Sequence, residues 1–270
     1  ENIIRLIIDK FYSFIQIIYL HVICNNTKLN GYEIQAYHKG DQKMDENVTF
    51  GERPVCRGEI ALPLAVVINS FGVVLMLYSG SGISAISSVP FAFSEVLPAL
   101  SLGTWTYLFQ GLLILSLMLL RKRFVFQYLF SFAVGFAFGE LLDIHELWIG
   151  ILPDSLLCRI FYFIISYLLI SFGIALSNRC CLPIVPTDLF PRELVQITGI
   201  QYPKIKISFD VICLAVTAGL TGIFLGHLDG LGIGTIFAAF TMGKCVGIIG
   251  NWLDHGYRFT SFLNKIPGSC

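Results

Sequence analysis

Two opposite charges fall inside apolar runs of this chain. Lys244 is the single charge in LGIGTIFAAFTMGKCVGIIGNW (231–252), and Asp210 lies in the run 207–226. A lysine at the centre of a membrane span costs about 2.5–3.5 kcal/mol on insertion scales, so it is expected to face protein and to pair. Asp210, about one turn inside its run, is the best-placed acid. Paired, the two would line a polar cavity for an anionic substrate or a coupled proton. A purely structural pair, or a lysine bending its stem toward the headgroups, fits the same residues. Glu140 is a second intramembrane acid, near the far end of its run. Gln110, inside another run, either joins the pathway or bonds between helices as intramembrane amides do. Glu95, Asp188 and Glu193 sit in two segments rich in Ser, Gly and Pro. These seven are the candidate substrate or ion pathway.

Other chemistry finds less support. Asp143, His145, Glu146, His227 and Asp229 mix imidazoles and carboxylates that bind divalent cations or relay protons, but their spacings match no ligand pattern. No metal and no cofactor is expected. The stretch DGLGIGT (229–235) looks like a phosphate-cradling loop. Its glycines depart from G-x-G-x-x-G, and it follows an apolar span rather than a strand. A tight turn and close helix packing explain it better. There is no GxSxG and no HExxH, and the chain is not expected to be an enzyme. The eight cysteines contain no CxxC, so they read as free thiols.

The solvent around these residues follows from composition. The chain has 270 residues, 55% hydrophobic and only 13% charged. A soluble domain carries about 25% charged residues. Net charge is zero, which leaves no footprint for nucleic acid. The partner is the lipid bilayer. Apolar runs predict six transmembrane helices over roughly 59–79, 104–120, 124–142, 157–177, 207–226 and 231–252, with Trp105, Trp148 and Trp252 near span ends. Placing the N-terminal side in the cytoplasm puts Arg53, Arg57, Arg121, Lys122, Arg123, Arg179, Arg192, Lys204, Lys206, Arg258 and Lys265 inside, and only Arg159 outside. Both termini are therefore expected to be cytoplasmic.

The spans form two sets. Ser70-Phe71-Gly72-Val73 reappears as Ser171-Phe172-Gly173-Ile174, and a proline follows nineteen residues after each Phe, at Pro90 and Pro191. Phe109-Gln110 matches Phe209-Asp210, and Gly139 to Asp143 matches Gly250 to Asp254. Three spans per set is odd, so the second half must be inverted, as in many transporters. The fold class is all-α: a polytopic membrane protein of two inverted three-helix repeats, 59–155 and 156–255, flanked by a cytoplasmic segment (44–58) and tail (256–270). The Ser/Gly/Pro-rich segments 79–103 and 180–203 would expose unpaired backbone in lipid, so they should be re-entrant or interfacial. Two long surface loops are the plainer alternative.

Residues 1–43 differ from the rest. Their clean apolar stretch, 11–20, is too short to span a bilayer. Lys39-Gly40-Asp41 is encodable as a bacterial ribosome-binding site just before Met44, which would make 1–43 translated upstream DNA. A real interfacial helix with a polar linker is the alternative.

GSGISAISSVPFAFSEVLPALSLGTWTYLFQ, PTDLFPREL, KIKISFD and LGHLDGLGIGTIFAAFTMGK resemble the YczE/YyaS/YitT-like bacterial integral membrane proteins, closest to the YczE-like branch, over about residues 58–262. The resemblance implies a bacterial inner-membrane protein, often supposed to be a transporter, and supplies no catalytic residues. The expected function is a small-solute transporter or exporter. A non-transporting scaffold or regulator, or a channel, is the alternative.

Overall fold

The computed structural model describes residues 54–122, 124–180 and 182–260. The expectations for 1–43, for most of 44–58 and for the tail beyond 260 lie outside these residues. Eight helices follow one another among the described residues: α1 (Gly58–Tyr78), α2 (Ser88–Val96), α3 (Leu102–Arg121), α4 (Gln127–Ile149), α5 (Leu156–Ser177), α6 (Pro186–Thr198), α7 (Tyr202–Phe224) and α8 (Ile233–Gly256). Six of them, all but the short α2 and α6, are long and apolar enough to cross a membrane. Large side chains such as Leu115, Phe136, Ile164 and Phe240 are exposed along them, as a lipid-facing surface requires.

Two spans overrun their apolar runs by five residues or more at one end. The third continues past residue 142, through Asp143, His145 and Glu146. Asp143 earns that extension by capping a neighbour: its carboxylate accepts the Gly103 N–H (2.7 Å) and the Ser101 hydroxyl (2.6 Å) at the start of α3. These are donors that a helix N-terminus leaves unpaired. The fifth begins five residues early and takes in Lys204 and Lys206.

The order long–short–long–long occurs twice, and the packing follows it. The pair α1–α5 forms the centre, crossing where Gly72 makes room for Ile170 and Gly173 makes room for Asn69. Small residues let backbones approach where lipid supplies no hydrophobic drive. Outward from this pair, α1 packs on α4 and α5 on α8; α3 packs on α4 and α7 on α8. The short helices cross over, α2 lying on α7 and α6 on α3.

The buried faces of α4 and α8 share a spacing. Ser131, Gly135, Phe138, Gly139 and Leu142 recur as Thr235, Ala239, Met242, Gly243 and Val246, and Tyr128, Ser131, Gly135, Gly139 and Leu142 equally as Ala239, Met242, Val246, Gly250 and Leu253. Gly139 lies against the Gly103 backbone, whereas Gly250 clears space for the Arg179 guanidinium. That guanidinium holds Asp254 through two bonds of 2.5 and 2.6 Å.

Two short strands, β1 (Val55–Arg57) and β2 (Arg258–Thr260), pair in parallel. The entry to the first span and the exit of the last therefore lie on one face.

Candidate functional site

The polar interior is built around the start of α7. Pro203 stands in its first turn, where a proline loses no hydrogen bond. One turn later come Lys206 and Asp210, four residues apart and so on one helix face. Both are sealed from solvent, at 2% and 1% exposure. The ammonium donates to both carboxylate oxygens, at 2.6 and 2.7 Å. Unpaired, either charge would be costly to bury; paired at this geometry, each compensates the other.

Asp188 approaches from α6, whose N-terminus is set by Pro186. It sits in the first turn, where the positive end of the helix dipole favours a carboxylate. Burial nevertheless dominates and pushes Asp188 up to about 6, with Lys206 pulling it down, Asp210 raising it and Arg192 pulling it down.

Asp188, Lys206 and Asp210 line a central cavity of about 40 Å³. Asn69 of α1, Ser84 and Ser87 before α2, and Thr187 of α6 complete its polar wall, with Phe138 of α4 and Met242 of α8 among its apolar residues. It has room for a few waters or one small ion. Asn69 lines it, and the Asn69 side-chain oxygen, packed against Gly173, has no hydrogen-bond partner among the described residues. Such an orphan acceptor suits a site that holds water or a polar ligand. The stretches 84–87 and 185–188 both lie level with mid-span residues, so they penetrate the bundle rather than skirt its surface. An open groove of about 570 Å³ also runs between α3 and α4, lined by Leu115, Phe124, Leu129 and Phe132 among others. Its walls are mostly apolar, with Tyr107 and Tyr128 the lining residues that carry a hydroxyl.

The seven expected pathway residues divide. Asp210 and Asp188 come together here, and Lys206, which sequence reasoning counted only as a loop cation, joins them. The signal was present: Lys206 and Asp210 stand at i and i+4 at the mouth of an apolar run. Lys244 does not pair with Asp210. It is exposed on α8, because the buried face of that helix runs through Met242, Gly243 and Val246. Glu140 is likewise exposed on the outside of α4.

Gln110 is fully buried beside the cavity, against Pro186 and Gly135, and neither of its amide atoms has a hydrogen-bond partner among the described residues. Glu193 is buried but turned elsewhere. It accepts the Tyr128 hydroxyl (2.6 Å) and pairs with Arg121 (2.5 Å), tying α6 to α3 and α4. Glu95 is exposed at the end of α2, where partial burial and then the charge of Asp229 raise it. His145 packs edge-on against Phe71 and Trp148, away from His227. Among the described residues no three His, Cys, Asp or Glu side chains converge as metal ligands would.

The cavity residues all fall within one homologous unit. The chain belongs to a family of unknown function, DUF6198. The family model matches residues 56–251, from β1 into α8. The family therefore spans all eight helices, both short crossing helices and the buried ion pair. No curated protein and no solved structure matches the chain.

Proposed function

We propose that this member of the family is a small-solute transporter of the bacterial cytoplasmic membrane, with the central cavity as its binding site. One observation carries the reading: a partly polar cavity at mid-depth, walled by both sets of helices and by the tips of both interrupted segments. Transporters built from inverted repeats bind at such a repeat interface, beside broken helices. The doubled contact pattern and the odd number of spans per half support an inverted relation between 59–155 and 156–255. Alternating access then means rocking of one half against the other. The likeness to the YczE-like branch agrees with this assignment.

The charges refine the solute. Lys206 is neutralised by Asp210, which leaves Asp188 as the net charge of the cavity. An anion would meet that carboxylate, so the site suits a cation or a proton coupled to a neutral solute. The cation count supports a cytoplasmic strand face: Arg57, Arg121, Lys122, Arg179, Arg192, Lys204 and Arg258 gather there, against Arg159 opposite.

The test begins with a thermal-shift screen of the purified protein against metabolites and inorganic ions. Uptake of each hit follows, in proteoliposomes under imposed proton gradients. A ligand that stabilises the wild type, is taken up, and does neither with Asp188→Asn supports the transporter. Ligand-independent melting together with no flux of any tested solute would favour the scaffold.

A further inference from the structure

Glu140 and Lys244 remain outside the cavity, and neither is explained by it. Both are exposed near the middle of a span, and neither has an ion-pair or hydrogen-bond partner among the described residues. Each sits in an outward-facing apolar stripe at four-residue spacing. Phe136 (46% exposed) and Ile144 (51%) flank Glu140, while Phe240 (52%) and Ile248 (70%) flank Lys244. The stripes match in sequence except that the central charge changes sign.

Their placement is also matched. Glu140 follows the buried Gly139 on α4, and Lys244 follows the buried Gly243 on α8. At 1.5 Å per residue, Glu140 lies about 20 Å from the strand-face end of α4 and Lys244 about 18 Å from that end of α8. The two charges share one depth when two copies insert the same way. Phe138 and Met242 face the central cavity from the two flanks. Glu140 and Lys244, each two residues further along, point about 200° around their helices, away from it. They stand on opposite flanks of the α1–α5 pair and cannot meet within one chain.

We infer that the chain self-associates in the membrane, with Glu140 on α4 of one copy paired to Lys244 on α8 of the next. Alone in lipid, each charge carries the cost of a mid-span ion. Facing a second copy, the stripes pack apolar against apolar, and the single ion pair fixes register and depth. The contact is heterologous, because each copy presents a different face to either neighbour. Such contacts close into rings or run on as chains. A two-copy assembly would leave one Glu140 and one Lys244 unpaired, so a closed ring of three or more is expected.

The test requires no substitution at first. A hydrophobic carbodiimide applied to wild-type protein in membranes should join the two side chains as an amide between copies. The product is a ladder of covalent multimers whose crosslinked peptides contain residues 140 and 244. Absence of that crosslink, or a wild-type protein that stays monomeric at high density in nanodiscs, would overturn the inference. Charge reversal then checks the pairing. Lys244→Glu alone and Glu140→Lys alone should each weaken association about tenfold, equivalent to about 1.4 kcal/mol. The double variant E140K/K244E should restore assembly, and a mixture of the two single variants should restore the contact between unlike copies, closing fully only in even-numbered rings. Restored assembly also shows that the single variants were folded. Single variants that associate as well as wild type, in a preparation that does form multimers, would assign the contact to another surface.

Discussion

The ammonium of Lys206 and the carboxylate of Asp210 lie one turn apart on α7 and hold each other at 2.6 Å with almost no solvent on either. Removing one partner strands the other, which costs about 3–5 kcal/mol for a buried pair. Lys206→Met and Asp210→Asn should each destabilise the protein by about that much, and the two together by distinctly less. A double-mutant cycle on unfolding in mixed micelles reads the coupling. Additive losses would mean the bond contributes nothing that packing does not.

Asp188 makes stability depend on pH. Its folded-state value is raised from 3.8 to about 6, so the native carboxyl keeps its proton where an unfolded one has lost it. Stability therefore falls as pH rises from about 4 to about 6 and levels off above. The wild type should melt at higher temperature near about pH 5 than near about pH 7.5, and Asp188→Asn should flatten that difference. An unchanged slope in the variant would place the titration on another group. Lys206, Asp210 and Arg192 are the charges that face Asp188 and would have to be tested next.

Gly135 and Gln110 are a matched pair. A methyl group at 135 would overlap the Gln110 side-chain oxygen. Gly135→Ala should cost about 1–3 kcal/mol by overpacking, and adding Gln110→Ala should recover most of it. Melting of the three variants decides the matter: no recovery in the double variant would mean that Gly135 is required by Pro186 or by the helix backbone instead.

Orientation is testable with thiol labelling on a background from which the native cysteines have been removed. Leu147, 88% exposed at the end of α4, and Arg258, exposed in β2, lie on opposite faces. Leu147→Cys should react with an impermeant reagent in intact spheroplasts, and Arg258→Cys only after lysis. The reverse pattern would invert the proposed topology while leaving the fold intact.

The six spans were legible because each is a run of apolar residues, and lipid solvation makes that signal strong. Their ends were less so. A hydropathy window stops at the charges of Asp143 and His145, although the helix continues once Asp143 has α3 to cap. The pairing within the site was hidden for a related reason. Hydropathy ranks a charge by its depth in the run, which favoured Lys244, whereas burial depends on which way a helix face turns. Lys206 is nearer the span end yet faces inward, one turn from its acid. Gly72 and Gly173 stood out in the sequence, and the close crossing of α1 on α5 demands glycine at both.

The strand pair at the mouth of the bundle has a mechanical consequence. Residues 55–57 lead into α1, in the first set of helices, and residues 258–260 leave α8, in the second. Their backbone bonds strap the two sets together at that face, where the Arg258 N–H donates to the Pro54 carbonyl. The opposite face has a strap of its own: the Ile83 N–H donates to the Gly230 carbonyl and the Gly234 N–H to the Ser81 carbonyl. Any rocking of one set against the other would have to loosen one strap while the other holds, so each mouth of the cavity has its own latch. Arg258→Pro would remove a bond of the first latch and leave the second as it was.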